Sequence, residues 1–322
     1  MRRGAARATV GRRLAAIAAG IAALAALAPG VTAPGGAASA DSAPGAAKSA
    51  AAVSAAIATT GGTVSALFAG SLLAYMEHDL GPAFQKASGY SYRGFGGGST
   101  EVASQIKGGV RRGDVFISAA AAADKALEGA ANGNWVSWYT TFAASPLMLA
   151  YDPSSKVGRQ LAQGKPWYRV LAEPGVLVGR TDPKLDPKGV LTVEAVTNAA
   201  RKLHDAALTS ALAGLPVYPE TALVGRLQSG QLEAGFFYAV EAASAKLRAV
   251  SLAPAYKYAQ YTLTILDRAP NPRGAAALVR YLLNAQRDPT LRRSGLTANR
   301  PVFSGDVARV PQSLRRIVGA TR

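Results

Sequence analysis

Three short turns carry the residue types best suited to chemistry. They are Ala69-Gly70-Ser71-Leu72, Gly96-Gly97-Gly98-Ser99-Thr100 and Ile117-Ser118-Ala119. Each follows a short apolar, β-prone run and precedes a stretch with helical spacing. The free N–H groups and positive dipole end at the start of a helix make an anion site. Glycine lets the backbone come close, and a serine hydroxyl adds a donor. Any one of these turns is equally an ordinary serine N-cap. Their order and spacing, taken together, are what point to an oxyanion cradled by neutral donors.

Rival chemistries lack their parts. The only histidines are His78 and His204, and Ser71 does not sit in a G-x-S-x-G elbow, so no hydrolase triad emerges. Gly94-Phe95-Gly96-Gly97 is not followed by the acidic residue of a dinucleotide fingerprint, and no Walker A sequence is present. With no cysteine, disulfides, thiolate zinc sites and a lipoprotein anchor all drop out. The formal charge is +17. Five arginines fall in the first forty residues, which hold no acid, so +12 remains beyond them. That charge steers anions. The basic residues are scattered and not interleaved with aromatics, which argues against nucleic acid.

The elements that must position the turns alternate. Thr63–Ala69, Tyr90–Phe95 and Asp114–Ser118 read as strands, with helices at Leu72–Ala87 (restarting near Pro82), Thr100–Lys107 and Ala119–Ala131. Further strands are expected at 146–151, 235–240 and 260–266, and further helices at 191–212, 219–227, 241–247 and 274–284. Such alternation implies an α/β fold with a mostly parallel sheet. Ligands in such sheets bind at the carboxyl ends of the strands. Asp182-Pro183 and Asp186-Pro187-Lys188-Gly189 have turn chemistry, and either two plain turns or a ligand loop would fit them.

The N-terminus reads as an address. An Arg-rich start, the apolar run Leu14–Ala28 and the small residues up to Ala38-Ser39-Ala40 have the order of a secretory signal. Residues 41–60 are rich in Ala, Ser, Gly and Pro and read as a flexible linker. The expectation is an exported protein of the periplasm or cell envelope.

Several segments, in this order, resemble the extracellular molybdate/tungstate-binding proteins of ABC importers, within the bilobed type II periplasmic binding proteins. They are Leu67-Phe68-Ala69-Gly70-Ser71-Leu72, Gly97-Gly98-Ser99, Gly113-Asp114-Val115-Phe116-Ile117-Ser118-Ala119, Ser145 to Tyr151, Gly179-Arg180-Thr181-Asp182-Pro183 with Asp186-Pro187, and Leu227-Gln228-Ser229-Gly230 leading to Phe236-Phe237-Tyr238. The resemblance implies two α/β lobes with the oxyanion in the cleft between them. On that basis residues 61–142 and 262–322 form the first lobe, 143–261 form the second, and hinge strands lie near Phe142–Pro146 and Gln260–Thr262. It implies donors at Ser71, Ser99 and Ser118 from the first lobe. From the second it implies Tyr238 and the helix start near Thr221. Asp186 matches the first of two carboxylates that approach the metal in the tungstate-binding branch. The second would fall near Phe237, where there is no acid, so a four-coordinate, hydrogen-bonded oxyanion fits better than a six-coordinate centre. The reading is therefore a monomeric binding protein without enzymatic activity or resident cofactor. It would deliver molybdate or tungstate to a membrane permease. Sulfate or phosphate, or a basic envelope scaffold that no longer binds a ligand, are the alternatives.

Overall fold

A computed structural model describes residues 61–285 and 294–320. The expected signal segment and linker lie outside the described residues.

Strand β1 (Thr63–Ala69) forms because its alternating and then continuous apolar residues can all be buried. It lies between β2 (Ser91–Gly97) and β3 (Val115–Ser118), parallel to both. Parallel neighbours need crossover connections. These are the helices Gly81–Ser88 and Ser99–Lys107. The register pairs Ala69 with Gly97 and Phe68 with Ile117, so all three strands end at one edge. The three serine turns of the sequence therefore meet at the carboxyl ends of adjacent strands. Asp114 secures the opposite end of β3: its carboxylate accepts from the Ser65 amide at 2.7 Å and the Asn271 amide at 2.5 Å.

The long strand β4 (Trp138–Tyr151) joins the two halves of the sheet. Its first part pairs antiparallel with β8 (Tyr258–Ile265) and with β9 (Thr297–Gly305). Its last five residues pair with β6 (Ala234–Tyr238), which runs parallel to the short β5 (Val178–Gly179). On its other side, β4 pairs with β7 (Arg248–Ser251). The strand order is β2-β1-β3-β8-β4-β6-β5. The segments expected as hinge strands, near 142–146 and 260–262, are paired with each other where β8 meets β4.

The expectation of a mostly parallel sheet needs correction. Among the described residues the parallel strand pairs are β1–β2, β1–β3 and β5–β6, with two isolated parallel bridges besides, and every pair involving β4 or β8 is antiparallel. The returning strands that link the halves impose this. The single helix expected over 191–212 is two, Pro187–Leu203 and Ala206–Gly214. His204 takes a left-handed conformation and Asp205 caps the second helix through the Ala207 amide, which breaks the run. The helix expected over 119–131 shrinks to Ala121–Lys125 and a 3₁₀ turn, because Gly129 and Gly133 adopt positive φ. The restart expected near Pro82 is present: a π-helical stretch, Tyr75–Leu80, gives way to the helix at Gly81 with Pro82 in its first turn. Strands β7 and β9 were not anticipated.

Candidate functional site

The site lies where the Gly/Ser turns of β1–β3 face the loops that follow β5 and precede two helices of the other half. Gly98 shows how close the approach is. A Cβ there would come within 2.5 Å of the Leu185 carbonyl and 3.2 Å of the Asp186 Cβ. No side chain fits, so the chain has glycine. The Glu101 amide, in the first turn of helix Ser99–Lys107, donates to the Leu185 carbonyl at 3.0 Å. A pocket of about 260 Å³ opens beside this contact. Gly98, Glu101, Thr181, Asp186, Tyr218 and Glu220 are among its lining residues.

The six sequence-predicted residues divide into three groups. Ser71, Ser99 and Tyr238 are buried at the junction. The Ser71 hydroxyl is 2.9 Å from the Tyr261 hydroxyl. The Ser99 hydroxyl accepts from the Ala119 amide at 3.0 Å, which leaves its own proton free to donate. The Tyr238 hydroxyl is fully buried and has no hydrogen-bond partner. Asp186 is also buried. It caps helix Pro187–Leu203 with one oxygen, accepting from the Lys188 amide at 3.0 Å, and its Oδ2 has no partner. Ser118 and Thr221 are placed differently. The Ser118 hydroxyl is 2.7 Å from the Ala120 carbonyl, 2.8 Å from Thr262 Oγ1 and 2.9 Å from Asp124 Oδ2, inside a closed internal network. Thr221 is exposed. The residue before it, Glu220, is the one that turns inward.

Glu220 opens helix Glu220–Gln228, with Pro219 fixing the entry. Its Oε1 accepts from the Ser71 amide at 3.0 Å, across the junction. It is one of three carboxylates around a buried ammonium. Lys188 Nζ lies 2.6 Å from Glu241 and 3.5 Å from Glu220, and its side chain is wholly buried. Glu241 also accepts from the Tyr238 amide at 2.8 Å through its other oxygen, which satisfies a backbone donor at the start of helix Ala239–Ser244. Burial penalises every charge here. It raises Glu220 well above the usual carboxylate range, helped by the charge of Asp186 and opposed by Lys188. Asp186 and Glu241 are likewise raised by burial, against the pull of Lys188. Burial lowers the Lys188 ammonium, but Glu241, Glu220 and Asp186 outweigh it and the net direction is upward, so Lys188 keeps its proton. Among the described residues no group of three or more His, Cys, Asp or Glu could hold a metal ion.

Sequence reasoning missed Lys188, Glu220 and Glu241. A signal for the first was present. Lys188 shares a face with Thr192, Ala195 and Ala199, the buried stripe of its helix, and is the only ionisable residue on that stripe. The chemistry on offer is hydrogen bonding: hydroxyls of Ser99, Thr181 and Tyr238 with donor capacity, and carboxylate oxygens of Asp186 and Glu220 that can accept.

Residues 64–297 match the family described as bacterial extracellular solute-binding protein. A protein of Haloferax volcanii bearing the name of an ABC transporter molybdenum-binding protein is 33% identical over 222 residues, covering 69% of this chain and 67% of that one. An uncharacterized solute-binding protein of Halobacterium salinarum is 30% identical over 266 residues, covering 73% and 84%. Among solved structures, the periplasmic molybdate-binding protein of Azotobacter vinelandii superposes with a TM-score of 0.57 at 19% identity, covering 73% of this chain and 98% of that one. The sulfate-binding protein of Mycobacterium tuberculosis does so at 0.55 with 14% identity, covering 74% and 87%. At these identities the structures establish the fold, that of the periplasmic binding proteins. With the family match running from β1 to the start of β9, the chain belongs to the bacterial extracellular solute-binding proteins.

Proposed function

We propose that this protein captures a tetrahedral oxyanion, molybdate in the first place, and hands it to a membrane ABC permease. Tungstate, the same size class, would share the site. The leader read in the first forty residues would carry the protein out of the cytoplasm. The observation that carries the reading is the Tyr238 hydroxyl. A buried hydroxyl without a partner costs about 1–3 kcal/mol, so a ligand oxygen that accepts from it repays the cost. The Ser99 proton is unspent as well, and the buried Thr181 hydroxyl lies beside the Asp186 carboxyl, on which it exerts a lowering pull. These are neutral donors supplied by both halves, the kind of group a dianion needs when it leaves water. The molybdenum-binding name of the Haloferax relative supports the choice of anion.

Two carboxylate oxygens favour a second reading. Asp186 Oδ2 and Glu220 Oε2 are buried acceptors without donors. A fully deprotonated dianion offers them nothing, whereas hydrogen phosphate brings its own proton. A thermal-shift panel with molybdate, tungstate, sulfate and phosphate at matched ionic strength separates the two readings. A ligand at about 1,000 times its Kd adds roughly 4.1 kcal/mol, enough to raise Tm by several degrees. Shifts with molybdate and tungstate alone support the first reading, and a shift with phosphate alone supports the second. Flat curves for all four anions reject oxyanion capture.

A further inference from the structure

We propose that Tyr261 is a positioning residue of the site: its hydroxyl pairs with that of Ser71 to form one donor unit, and its ring braces Tyr238. This rests on the oxyanion reading above. It adds the residue, on a strand that links the two halves, through which one donor of each half is held.

Tyr261 lies on β8 and is fully buried. Side chains alternate across a strand. Thr262 turns to the network of Ser118 and Asp124, so Tyr261 faces the other way, towards the Gly70–Leu72 turn. The strand opposite is irregular at this step. Tyr261 pairs with Ala143 and Thr262 with Thr141, so β4 carries one extra residue, Phe142, between them. A bulge of this kind bends its strand and re-aims side chains.

The Tyr261 hydroxyl lies 2.9 Å from the Ser71 hydroxyl, across 190 positions of sequence, and the contact is buried. Among the described residues neither hydroxyl has a second partner. Two hydroxyls bring two protons, and their mutual bond uses one. Whichever of them donates, the pair keeps one proton for a third group, and the mutual bond restricts where that proton points. The Ser71 amide donates at 3.0 Å to Glu220, which lines the pocket, so the pair stands beside the proposed anion position. Burial, and then the charges of Glu241, Glu220 and Asp186, keep the phenol protonated against the pull of its Ser71 bond. It is therefore a neutral donor and not a phenolate, which would repel an anion.

The ring serves the other half. Tyr261 and Tyr238 meet edge to face, with ring centroids 6.2 Å apart and an interplanar angle of 75°. The Tyr238 hydroxyl has no partner of its own, so its direction depends on how its ring is packed. A side chain needed only to fill the core would not need a hydroxyl. Phe68 and Phe84 fill fully buried positions without one.

The test is calorimetric titration of molybdate into the unaltered protein, Tyr261→Phe, Ser71→Ala and the double variant, with circular dichroism as the fold control. Phenylalanine keeps the ring against Tyr238 and removes only the hydroxyl. Each single variant should bind about tenfold more weakly. The double variant should bind within about twofold of Ser71→Ala, because the two hydroxyls act as one donor. A merely structural tyrosine would weaken binding by the same factor with or without Ser71. If Y261F does not fold because it strands the serine hydroxyl, the double variant lacks both groups, and its comparison with Ser71→Ala decides. Unchanged affinity in folded Y261F, or losses that multiply in the double variant, overturn the proposal and leave the oxyanion reading standing. If the unaltered protein binds none of molybdate, tungstate, sulfate and phosphate, the oxyanion reading fails and this inference fails with it.

Discussion

Two buried polar clusters sit near the junction, and they are built on opposite principles. In the first, Asp124 is wholly buried and one of its oxygens is held by neutral neighbours. Its Oδ2 takes Thr262 Oγ1 at 2.5 Å and the Ser118 hydroxyl at 2.9 Å. Both donors come from paired strand positions, Ser118 opposite Thr262 in β3 and β8, so the cluster rivets two strands together. In the second, Lys188 serves Glu241 and Glu220 with charge, while Asp186 Oδ2, Glu220 Oε2 and the Tyr238 hydroxyl remain without partners. One cluster spends nearly all its hydrogen-bonding capacity on the fold, with a single Asp124 oxygen left over. The other keeps several groups in reserve beside a pocket. The contrast separates serines that look identical in the sequence: the Ser118 hydroxyl is engaged inside a closed network, whereas Ser99 accepts one amide bond and keeps its proton.

The largest expected effect comes from breaking the charged cluster. Lys188→Met would leave Glu241, Glu220 and Asp186 buried with no cation among them. Truncating one partner of a buried ion pair costs about 3–5 kcal/mol. Urea denaturation at neutral pH should show a loss of that size, and a loss under 1 kcal/mol would mean the carboxylates are already protonated.

A pH effect on the other cluster comes next. Burial raises Asp124 to about 7, against the pull of its hydroxyl donors. A carboxyl raised on folding binds its proton more tightly in the native state. Its contribution is therefore fully present below the unfolded value near 4 and is lost as pH climbs through about 7. Melting temperature should fall across that window, and Asp124→Asn should flatten the fall. An identical slope in the variant would assign the effect elsewhere.

The smallest change sharpens the comparison most. Ser118→Ala removes one hydroxyl from the closed network, and about 1 kcal/mol of stability should go with it. Molybdate affinity should stay within a factor of two, as measured by titration. A tenfold loss of affinity would move Ser118 back among the ligand groups.

The first half of this architecture could be read from residue order. Short apolar runs ending in Gly/Ser give strands whose carboxyl ends carry helix starts, and the parallel register of β1, β2 and β3 then brings the three turns together. Tyr238 follows only from the resemblance to the molybdate/tungstate-binding proteins, since its apolar run marks a strand but not a ligand group. The charged cluster could not. Pro219-Glu220 looks like an ordinary helix start with an acid favourable to the dipole, and Asp186-Pro187-Lys188-Gly189 looks like a solvated turn. Nothing local distinguishes a glutamate that points to water from one that crosses to an amide 149 residues away. Strands β7 and β9 were missed for a related reason. Their residues are largely exposed or half-buried, so hydrophobic pattern is weak, and pairing with the long β4 is what makes them strands.

The central claim is that the reserve groups of the charged cluster exist for an oxyanion. Isothermal titration of molybdate into the unaltered protein and into Tyr238→Phe tests it most directly. Saturable 1:1 binding is expected in the first. In the second, loss of one hydrogen bond to a charged ligand, about 1.5–3 kcal/mol, should weaken binding by roughly ten- to a hundredfold while thermal stability without ligand holds or rises. Equal affinity in the two proteins, or no heat of binding in either, would contradict the account.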